Sequence, residues 1–297
     1  MSRPFRERVK RFLHRLRTGT SEQNEKAFPT RLTDESSVRS LVERLRPVAA
    51  SAELIRLGPG GDGGYLVPDD LDGIVACFSP GVSSISGFER DCADRGMRVF
   101  LADKSVDGPA ERHELFRFVR KFVGTLTDDD FMTLDDWVSS SLDDRQSDLL
   151  LQIDVEGFEY ETFLATSEAL LRRFRIIVAE FHDLDNLWSA PFFSLASRAF
   201  EKLLLTHACV HLHPNNCYRS VQIRGMEMPR VMEFTFQRRD RIVRQAFVTS
   251  FPHPLDADNT INAPLPLPRC WYRGDAAAAP GASATGASIF ASTTRQP

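Results

Sequence analysis

One strand–helix–strand unit near the start of the folded region constrains the architecture of this chain more than any other feature. An apolar run at residues 74–78 breaks at a turn containing Gly81, and residues 86–95 then show helical spacing of their apolar side chains. A second apolar run, residues 97–102, ends at Asp103. A strand, a glycine turn, a helix and another strand in this order predict a βαβ unit, and therefore parallel strands.

The same alternation continues along the chain. Strand patterns recur at residues 115–123, 149–155, 175–182, 209–213 and 230–237, and helical patterns lie at residues 160–174 and 192–205. The last two strands have no helix between them, so we expect them to be antiparallel. This predicts an α/β, Rossmann-like fold with a mostly parallel sheet and functional groups at the carboxyl ends of its strands. The antiparallel last strand favours the class I methyltransferase variant of that fold.

Composition excludes several classes of protein. The 297 residues are 42% hydrophobic and 26% charged, which is typical of globular proteins. A net charge of −4 argues against a general nucleic-acid-binding surface. The five cysteines contain no C-x-x-C pair, so neither a disulfide framework nor a zinc site is predicted. Because the sequence has no long charge-free apolar run and no apolar signal-peptide block, we expect a cytoplasmic protein.

The chain divides into three parts. Residues 1–31 are predicted to contain a basic amphipathic helix and a polar linker, and residues 32–273 are predicted to form the folded domain. Residues 274–297 are predicted to be disordered because they lack large apolar side chains. The basic helix is interpreted first as a solvated helix docked on the domain. The second interpretation is a peripheral contact with an anionic membrane.

Gly81 and Asp103 have the relation found in dinucleotide and S-adenosyl sites. The turn after the first strand lets backbone approach the ligand, and a carboxylate about 20 residues later receives the ribose hydroxyls. Here the turn reads SPGVSSISGFE instead of G-x-G-x-x-G, so no pyrophosphate cradle is evident. The missing glycines favour S-adenosylmethionine over NAD. The alternative is a loop glycine and a strand-end acid without a ligand.

A buried strand runs directly into two acids at residues 149–161, LLLQIDVEGFEYE. Alternation along the strand places Asp154 and Glu156 on one side, and Gly157 permits a sharp turn into the next helix. Strand ends face the ligand crevice in this architecture, so both acids are candidate catalytic groups. The alternative is that one of them, Glu156 above all, caps the helix.

The segment LLLQIDVEGFEYETF resembles the K-I-D-V-E-G-x-E signature of FkbM-type S-adenosylmethionine-dependent methyltransferases, with Gln152 where lysine is usual. Further segments resemble one branch of this family in the same order: RLGPGGDGGYLV at residues 56–67, GFE at 87–89, FMTLDDWV at 131–138, VAEFHDL at 178–184, HLHPNN at 211–216 and PRVMEF at 229–234. The resemblance spans residues 53–267. It departs from the family at Gln152 and at the sparse first glycine loop.

The resemblance implies methyl transfer from S-adenosylmethionine, usually to oxygen, on a glycan, a lipid-linked saccharide or a secondary metabolite. The candidate bases are Asp154, Glu156 and His182, each expected at a strand end. His182 could instead be a packing or hydrogen-bonding histidine.

Four consecutive residues complete the predicted cofactor site, and two more form a predicted acceptor site. The DGGY residues, Asp62, Gly63, Gly64 and Tyr65, are expected against the cofactor cleft because consecutive glycines let backbone lie close to a ligand. His213 and Asn216 are predicted to bind the acceptor.

A metal is a less favoured option. His211 and His213 share one face of a strand and precede two asparagines, a set that could bind a divalent cation, but the carboxylates are distant in sequence. We therefore predict no metal site.

Two other functions remain open. An NAD-dependent oxidoreductase is disfavoured by the missing phosphate-binding glycines. A catalytically silent methyltransferase-like scaffold would bind no cofactor, and would act through protein or membrane contacts. Binding of S-adenosylhomocysteine distinguishes the methyltransferase from both alternatives.

Overall fold

The computed structural model describes residues 31–243 and 246–272. A seven-stranded sheet forms the centre of this part of the chain. Its strands are β3 (Ala76–Pro80), β4 (Arg98–Ala102), β5 (Phe116–Val119), β8 (Leu149–Ile153), β9 (Phe174–Phe181), β10 (His207–Pro214) and β13 (Met232–Arg238).

The strand order is β10-β13-β9-β8-β3-β4-β5, and β13 runs antiparallel to both of its neighbours. The strand pairs from β9 through β8, β3 and β4 to β5 are all parallel. This confirms the predicted Rossmann-like α/β fold with a mostly parallel sheet and an antiparallel last strand. The sequence also correctly paired the last two strands, although β13 additionally pairs with β9.

Helices and three short two-stranded sheets surround the central sheet. The α-helices are α1 (Glu35–Arg44), α2 (Gly87–Asp94), α3 (Leu134–Ser141), α4 (Glu159–Ala165), α5 (Glu168–Leu171) and α6 (Ala190–Thr206). The short sheets pair β1 (Leu54–Leu57) with β2 (Tyr65–Pro68), β6 (Phe122–Val123) with β7 (Phe131–Met132), and β11 (Val221–Ile223) with β12 (Met226–Met228). Short 3₁₀ turns lie at Leu184–Trp188, Arg239–Arg241 and Arg269–Trp271.

Apolar side chains on alternate strand positions build two cores, one on each face of the sheet. Phe78, Leu151 and Phe181 face the larger core, which α1, α3, α4 and α6 cover. Cys77 and Leu150 face the smaller core, which α2 and the β1–β2 hairpin cover. Burial on both faces explains why these strands read as continuous apolar runs in the sequence.

The structure corrects the bounds of several predicted elements. The predicted strand 115–123 is broken between β5 and β6, and the predicted helix 160–174 is two helices separated at residues 166–167. Ser167 caps α5, with its hydroxyl accepting a hydrogen bond from the Leu170 amide, and this fixes the break. The β11–β12 hairpin was not predicted.

Residues 246–272 lie against the rest of the domain with little regular structure of their own. Phe247 forms a bridge with Val48, and Trp271 is fully buried in the larger core. Between these two anchors the segment contacts β10 and β13 at the carboxyl edge of the sheet. The predicted domain therefore includes a final segment, residues 246–272, that could not be predicted from strand or helix patterns.

Parts of two predicted regions lie outside the described residues. These are the basic helix and linker up to residue 30 and the predicted disordered tail at residues 274–297. Within residues 31–243 and 246–272, no helix combines the length and apolar character needed to cross a membrane.

Candidate active site

Four predicted site residues lie at the same edge of the sheet. Gly81, Asp103, Asp154 and His182 directly follow β3, β4, β8 and β9, which are adjacent and parallel. The carboxyl ends of such strands form the ligand crevice of open α/β sheets. The structure therefore brings the predicted cofactor residues and the predicted catalytic residues to one edge.

Gly81 permits a close approach between two strand ends. Its φ is 97°, and a Cβ at this position would lie 1.6 Å from the carbonyl oxygen of Asp154. The Asp154 amide also donates to the carbonyl of Pro80 at 3.3 Å. A glycine is therefore required at position 81, because the end of β8 lies too close to the turn after β3 to leave room for a side chain.

Asp103 is a largely buried carboxylate, 9% exposed, at the end of β4. Its Oδ1 accepts a hydrogen bond from the Ser105 amide at 2.6 Å. No second hydrogen-bond partner is present among the described residues. A carboxylate that the backbone fixes through one oxygen can accept a ligand hydroxyl through the other.

The predicted DGGY segment lies in the loop between β1 and β2, and the Arg56 guanidinium organises this loop. Arg56 donates to the carbonyls of Pro59 at 2.6 Å, Gly61 at 2.8 Å and Gly64 at 2.9 Å. A Cβ on Gly64 would lie 2.0 Å from the Pro59 carbonyl oxygen, so the loop is folded tightly on itself.

The same loop packs on the turn between β3 and α2. A Cβ on Gly63 would lie 3.1 Å from the Ile85 side chain, and the rings of Tyr65 and Phe88 meet edge to face at 5.5 Å. Asp62 is exposed. The loop therefore borders the turn at which the sequence places the cofactor, and its contact with the cofactor stays a prediction.

A buried polar chain runs from Tyr65 to α2 through Gln152, the residue that replaces the usual lysine. Gln152 donates to the Tyr65 hydroxyl at 3.4 Å and accepts from the Ser79 hydroxyl at 2.7 Å, and Ser79 lies 2.6 Å from Glu89. Burial raises the pKa of Glu89 despite its hydrogen bond to Ser79.

Glu159, which the sequence analysis did not single out, holds the turn after β8. It is fully buried, and its Oε1 accepts from the amides of Val155 at 3.2 Å and Gly157 at 2.9 Å. In this turn Glu156 and Gly157 have φ values of 55° and 102°. Glu159 therefore fixes the turn between β8 and α4.

His182 lies among the carboxylates of this turn. Its Nδ1 is 3.2 Å from Glu159, and its Nε2 is 3.9 Å from Asp154 and 3.8 Å from Glu156. Burial disfavours the charged ring, but Glu159, Asp154 and Glu180 outweigh that effect and raise the pKa of His182 to about 10. At neutral pH His182 is an imidazolium, which donates hydrogen bonds and cannot accept a proton.

Side chains that could bind a metal come together at this turn, and not at His211 and His213, the pair considered in the sequence. Asp154, Glu159 and His182 each offer one ligand atom, and these atoms lie within 4.8 Å of one another. No other group of three such residues occurs in the described ranges. Oxygen and imidazole ligands suit a divalent cation, so a metal remains the second option.

Two buried glutamates that the sequence analysis missed lie beside the predicted acceptor residue His213. Glu180 in β9, Glu233 in β13 and His213 in β10 are direct partners across three adjacent strands. An acid in the apolar run RIIVAEFH was the available signal for Glu180. The alternating pattern of β13 contained Glu233 but did not show which neighbours it would face.

Asn216, the other predicted acceptor residue, contacts the 246–272 segment. Its side-chain oxygen accepts from the Thr260 amide at 2.9 Å and hydroxyl at 3.0 Å, and its side-chain nitrogen donates to the carbonyls of Thr260 and Asn262. His211 similarly lies 2.8 Å from Asp256. These contacts anchor the segment, and an acceptor role for Asn216 stays untested.

Comparison with known proteins identifies one family. Residues 86–204 match the family described as the methyltransferase FkbM domain. These residues include β4, β8, β9 and the site residues Asp103, Asp154 and His182. No curated protein sequence matches the chain significantly.

A solved structure resembles the chain weakly. It is Burkholderia thailandensis 1,6-didemethyltoxoflavin-N1-methyltransferase with bound 1,6-didemethyltoxoflavin and S-adenosylhomocysteine. The two share 13% identity over 80% of this chain and 91% of that chain, with a TM-score of 0.29. The fold assignment therefore rests on the strand order described above.

Proposed function

We propose, from the match of residues 86–204 to the methyltransferase FkbM domain, that the chain is an S-adenosylmethionine-dependent O-methyltransferase. The observation that carries the proposal is the placement of Asp103 and Asp154 at the carboxyl ends of β4 and β8, on either side of β3, within the matched domain. One acid is then available for the cofactor and the other for the acceptor.

The cofactor residues present fit S-adenosylmethionine. Asp103 has one oxygen held by backbone, which leaves the other for a ribose hydroxyl. The DGGY loop, with Gly63 and Tyr65, borders the turn that follows Gly81. We propose that Asp62, Gly63, Gly64, Tyr65, Gly81 and Asp103 form the cofactor site.

Bound S-adenosylmethionine supplies a methyl group that the sulfonium charge has already activated. Asp154 would accept the proton of the acceptor hydroxyl that the bound cofactor methylates. His182 does not compete for that proton because it is already protonated at neutral pH. It orients Asp154 and Glu156, and Glu159 fixes its ring.

The acceptor site is proposed over β9, β13 and β10, next to Asp154. His213 is half of the acceptor pair predicted from the sequence, and Glu180 and Glu233 extend it toward the proposed base. A glycan, a lipid-linked saccharide or a secondary metabolite remains the proposed acceptor class.

Calorimetric titration of the full chain with S-adenosylhomocysteine, and separately with NAD, tests this function. We expect saturable binding of S-adenosylhomocysteine and none of NAD. Binding of NAD alone would favour the oxidoreductase, and binding of neither ligand would favour the silent scaffold. Either result would contradict the proposed methyltransferase.

A further inference from the structure

Residues 1–17 differ in charge from the rest of the chain, and we call them the basic segment. They hold seven of the 37 lysines and arginines and only one of the 41 acidic residues, Glu7. The remaining residues therefore carry an excess of acidic side chains. Positive charge concentrated in so short a stretch favours contact with a negatively charged surface.

A helical repeat in the sequence places the charged and the apolar side chains of the basic segment on opposite faces. At about 100° per residue, the apolar side chains of residues 5–16 fall within about 100° of arc. They are Phe5, Val9, Phe12, Leu13 and Leu16. Arg8 and Arg15 lie beyond this arc on one side, and Arg6 and Arg17 lie beyond it on the other. An apolar face with cations on both sides is typical of a helix that lies in the plane of an anionic lipid surface.

The chain that follows the basic segment joins the domain at the edge of the sheet that holds the candidate active site. The Arg31 carbonyl accepts from the Ala190 amide at 2.8 Å, and the Thr33 amide donates to the Trp188 carbonyl at 2.9 Å. Ala190 begins α6, which connects the carboxyl end of β9, just beyond His182, with the start of β10. The basic segment is therefore tethered to the carboxyl edge of the sheet.

Exposed apolar side chains lie at the same edge. Leu32 is exposed where the chain enters the domain, Phe158 is exposed in the turn after β8, and Tyr218 is exposed after β10. Ile261 is fully exposed, and the residues on either side of it bond to Asn216 just beyond β10. These side chains give lipid a second set of apolar contacts next to the tether of the basic segment.

A groove between α1 and α6 lies beside the point where the chain enters the domain, but its lining is mostly polar. Four serines and the Arg44–Glu201 ion pair line it, together with Leu41 and Phe193. Burying the apolar face of the basic segment there would desolvate these polar groups without giving them new partners. A lipid surface, in contrast, accommodates the apolar face and the cations at once.

We propose that the basic segment lies on an anionic membrane and holds the carboxyl edge of the sheet toward it, so that the methyl acceptor is carried on a lipid. The assignment of the acceptor rests on the proposed methyltransferase function. Residues 18–30 span at most about 45 Å when fully extended, so the domain stays close to the surface. Asp154, the proposed base, then meets acceptors that are held in that surface.

Co-sedimentation of the full chain with vesicles tests the membrane contact. Vesicles of phosphatidylcholine and phosphatidylserine in equal amounts are compared with vesicles of phosphatidylcholine alone. We expect the chain to bind the anionic vesicles at least about tenfold more tightly than the neutral ones at low salt, because several cations meet the lipid head groups. High salt should remove most of this difference.

Matched substitutions separate the basic segment from general effects of charge and hydrophobicity. Arg15→Gln should weaken binding to the anionic vesicles about fivefold. Arg112→Gln, at an exposed position of the domain, should leave it unchanged. Leu13→Ser should weaken the same binding about tenfold, because it removes an apolar side chain from the lipid. Leu205→Ser, at an exposed position near the end of α6, should have no effect.

Tryptophan fluorescence tests which edge of the domain faces the lipid. Ile261→Trp places the probe at the carboxyl edge, and Leu205→Trp places it at the opposite edge, where α6 leads into β10. Lipid that carries bromine should quench the added fluorescence of the first variant and not that of the second. The wild-type signal, from three buried tryptophans, is subtracted from both.

Equal binding to the anionic and the neutral vesicles would overturn the proposal. Binding to neither would do the same, and would favour docking of the basic segment on its own domain. Equal quenching of the two tryptophan variants would overturn the orientation, and with it the acceptor carried on a lipid. Failure of S-adenosylhomocysteine to bind in calorimetry is a separate result, because it would contradict the methyltransferase function and retain the membrane contact.

Discussion

At the residue scale, Asp103 and Asp154 follow strands on either side of β3, and the proposed function assigns Asp103 to cofactor binding and Asp154 to chemistry. Asp103→Ala should weaken S-adenosylhomocysteine by about 1.5 to 3 kcal/mol, since it removes a charged acceptor of a hydrogen bond. Titration calorimetry measures this loss. Asp143→Ala, at an exposed position, is the matched control and should leave affinity unchanged. Wild-type affinity in Asp103→Ala would remove this residue from the cofactor site.

Asp154 should govern turnover rather than cofactor affinity. Asp154→Asn keeps the size of the side chain but cannot accept the proton, so kcat should fall by about 100-fold or more while S-adenosylhomocysteine affinity stays within a few-fold. Steady-state kinetics with a verified acceptor measures the change, with Asp143→Asn as control. Near-normal turnover without sensitivity to a chelator would leave alignment of the reactants as the whole mechanism. Loss of activity with EDTA, and its return with Mg²⁺, would favour the metal option at Asp154, Glu159 and His182.

At the element scale, the turn after β3 packs closely on the Asp154 carbonyl at the end of β8. Alanine substitutions at two glycines measure how much this contact contributes to stability. Gly81 and Gly96 both have positive φ, 97° and 84°. A Cβ on Gly96 meets nothing within 4 Å, whereas one on Gly81 overlaps the Asp154 carbonyl. Gly96→Ala should lower the free energy of unfolding by about 1 to 2 kcal/mol, the cost of the left-handed backbone.

Gly81→Ala should cost on the order of 4 kcal/mol or more, because steric overlap with backbone adds to the same conformational cost. Urea unfolding of both variants gives the comparison. Equal losses in the two variants would mean that the end of β8 can move away from the turn, and that Gly81 does not fix the position of Asp154.

At the scale of the whole molecule, one buried histidine should make the fold sensitive to acid. His207 at the start of β10 lies 2.7 Å from both the Phe174 carbonyl and the Thr206 hydroxyl. Burial lowers its pKa to about 4, although the Phe174 carbonyl opposes the shift. The unfolded chain, with a histidine pKa near 6.5, therefore binds the proton more readily than the folded chain.

The stability that neutral His207 contributes is present above pH 6.5 and is lost as the pH falls toward 4. The loss by pH 4 should be about 3 kcal/mol. Urea unfolding of wild type and His207→Gln at pH 7.5 and pH 4 measures it, and the variant should lose about 3 kcal/mol less than wild type across that range. Equal losses would place the acid sensitivity in other groups.

The sequence by itself determined the order of elements and the acids that end the strands. Residues 74–103 and 149–161 carry these signals locally, because alternation of side chains, a breaking glycine and a helical repeat are properties of neighbouring residues. The positions of Gly81, Asp103, Asp154 and His182 at the ends of strands could therefore be predicted from the sequence, and their shared edge followed from the parallel arrangement.

Only the tertiary structure decided which side chains meet across the sheet. The insertion of β13 between β9 and β10 brings Glu180, Glu233 and His213 into one row, although Glu180 and Glu233 are far apart in sequence. The tertiary structure also brings Glu159 into contact with His182, and residues 246–272 into contact with β10 and β13. Lateral register depends on the free energy of packing distant segments, and a repeat within one segment contains no information about it.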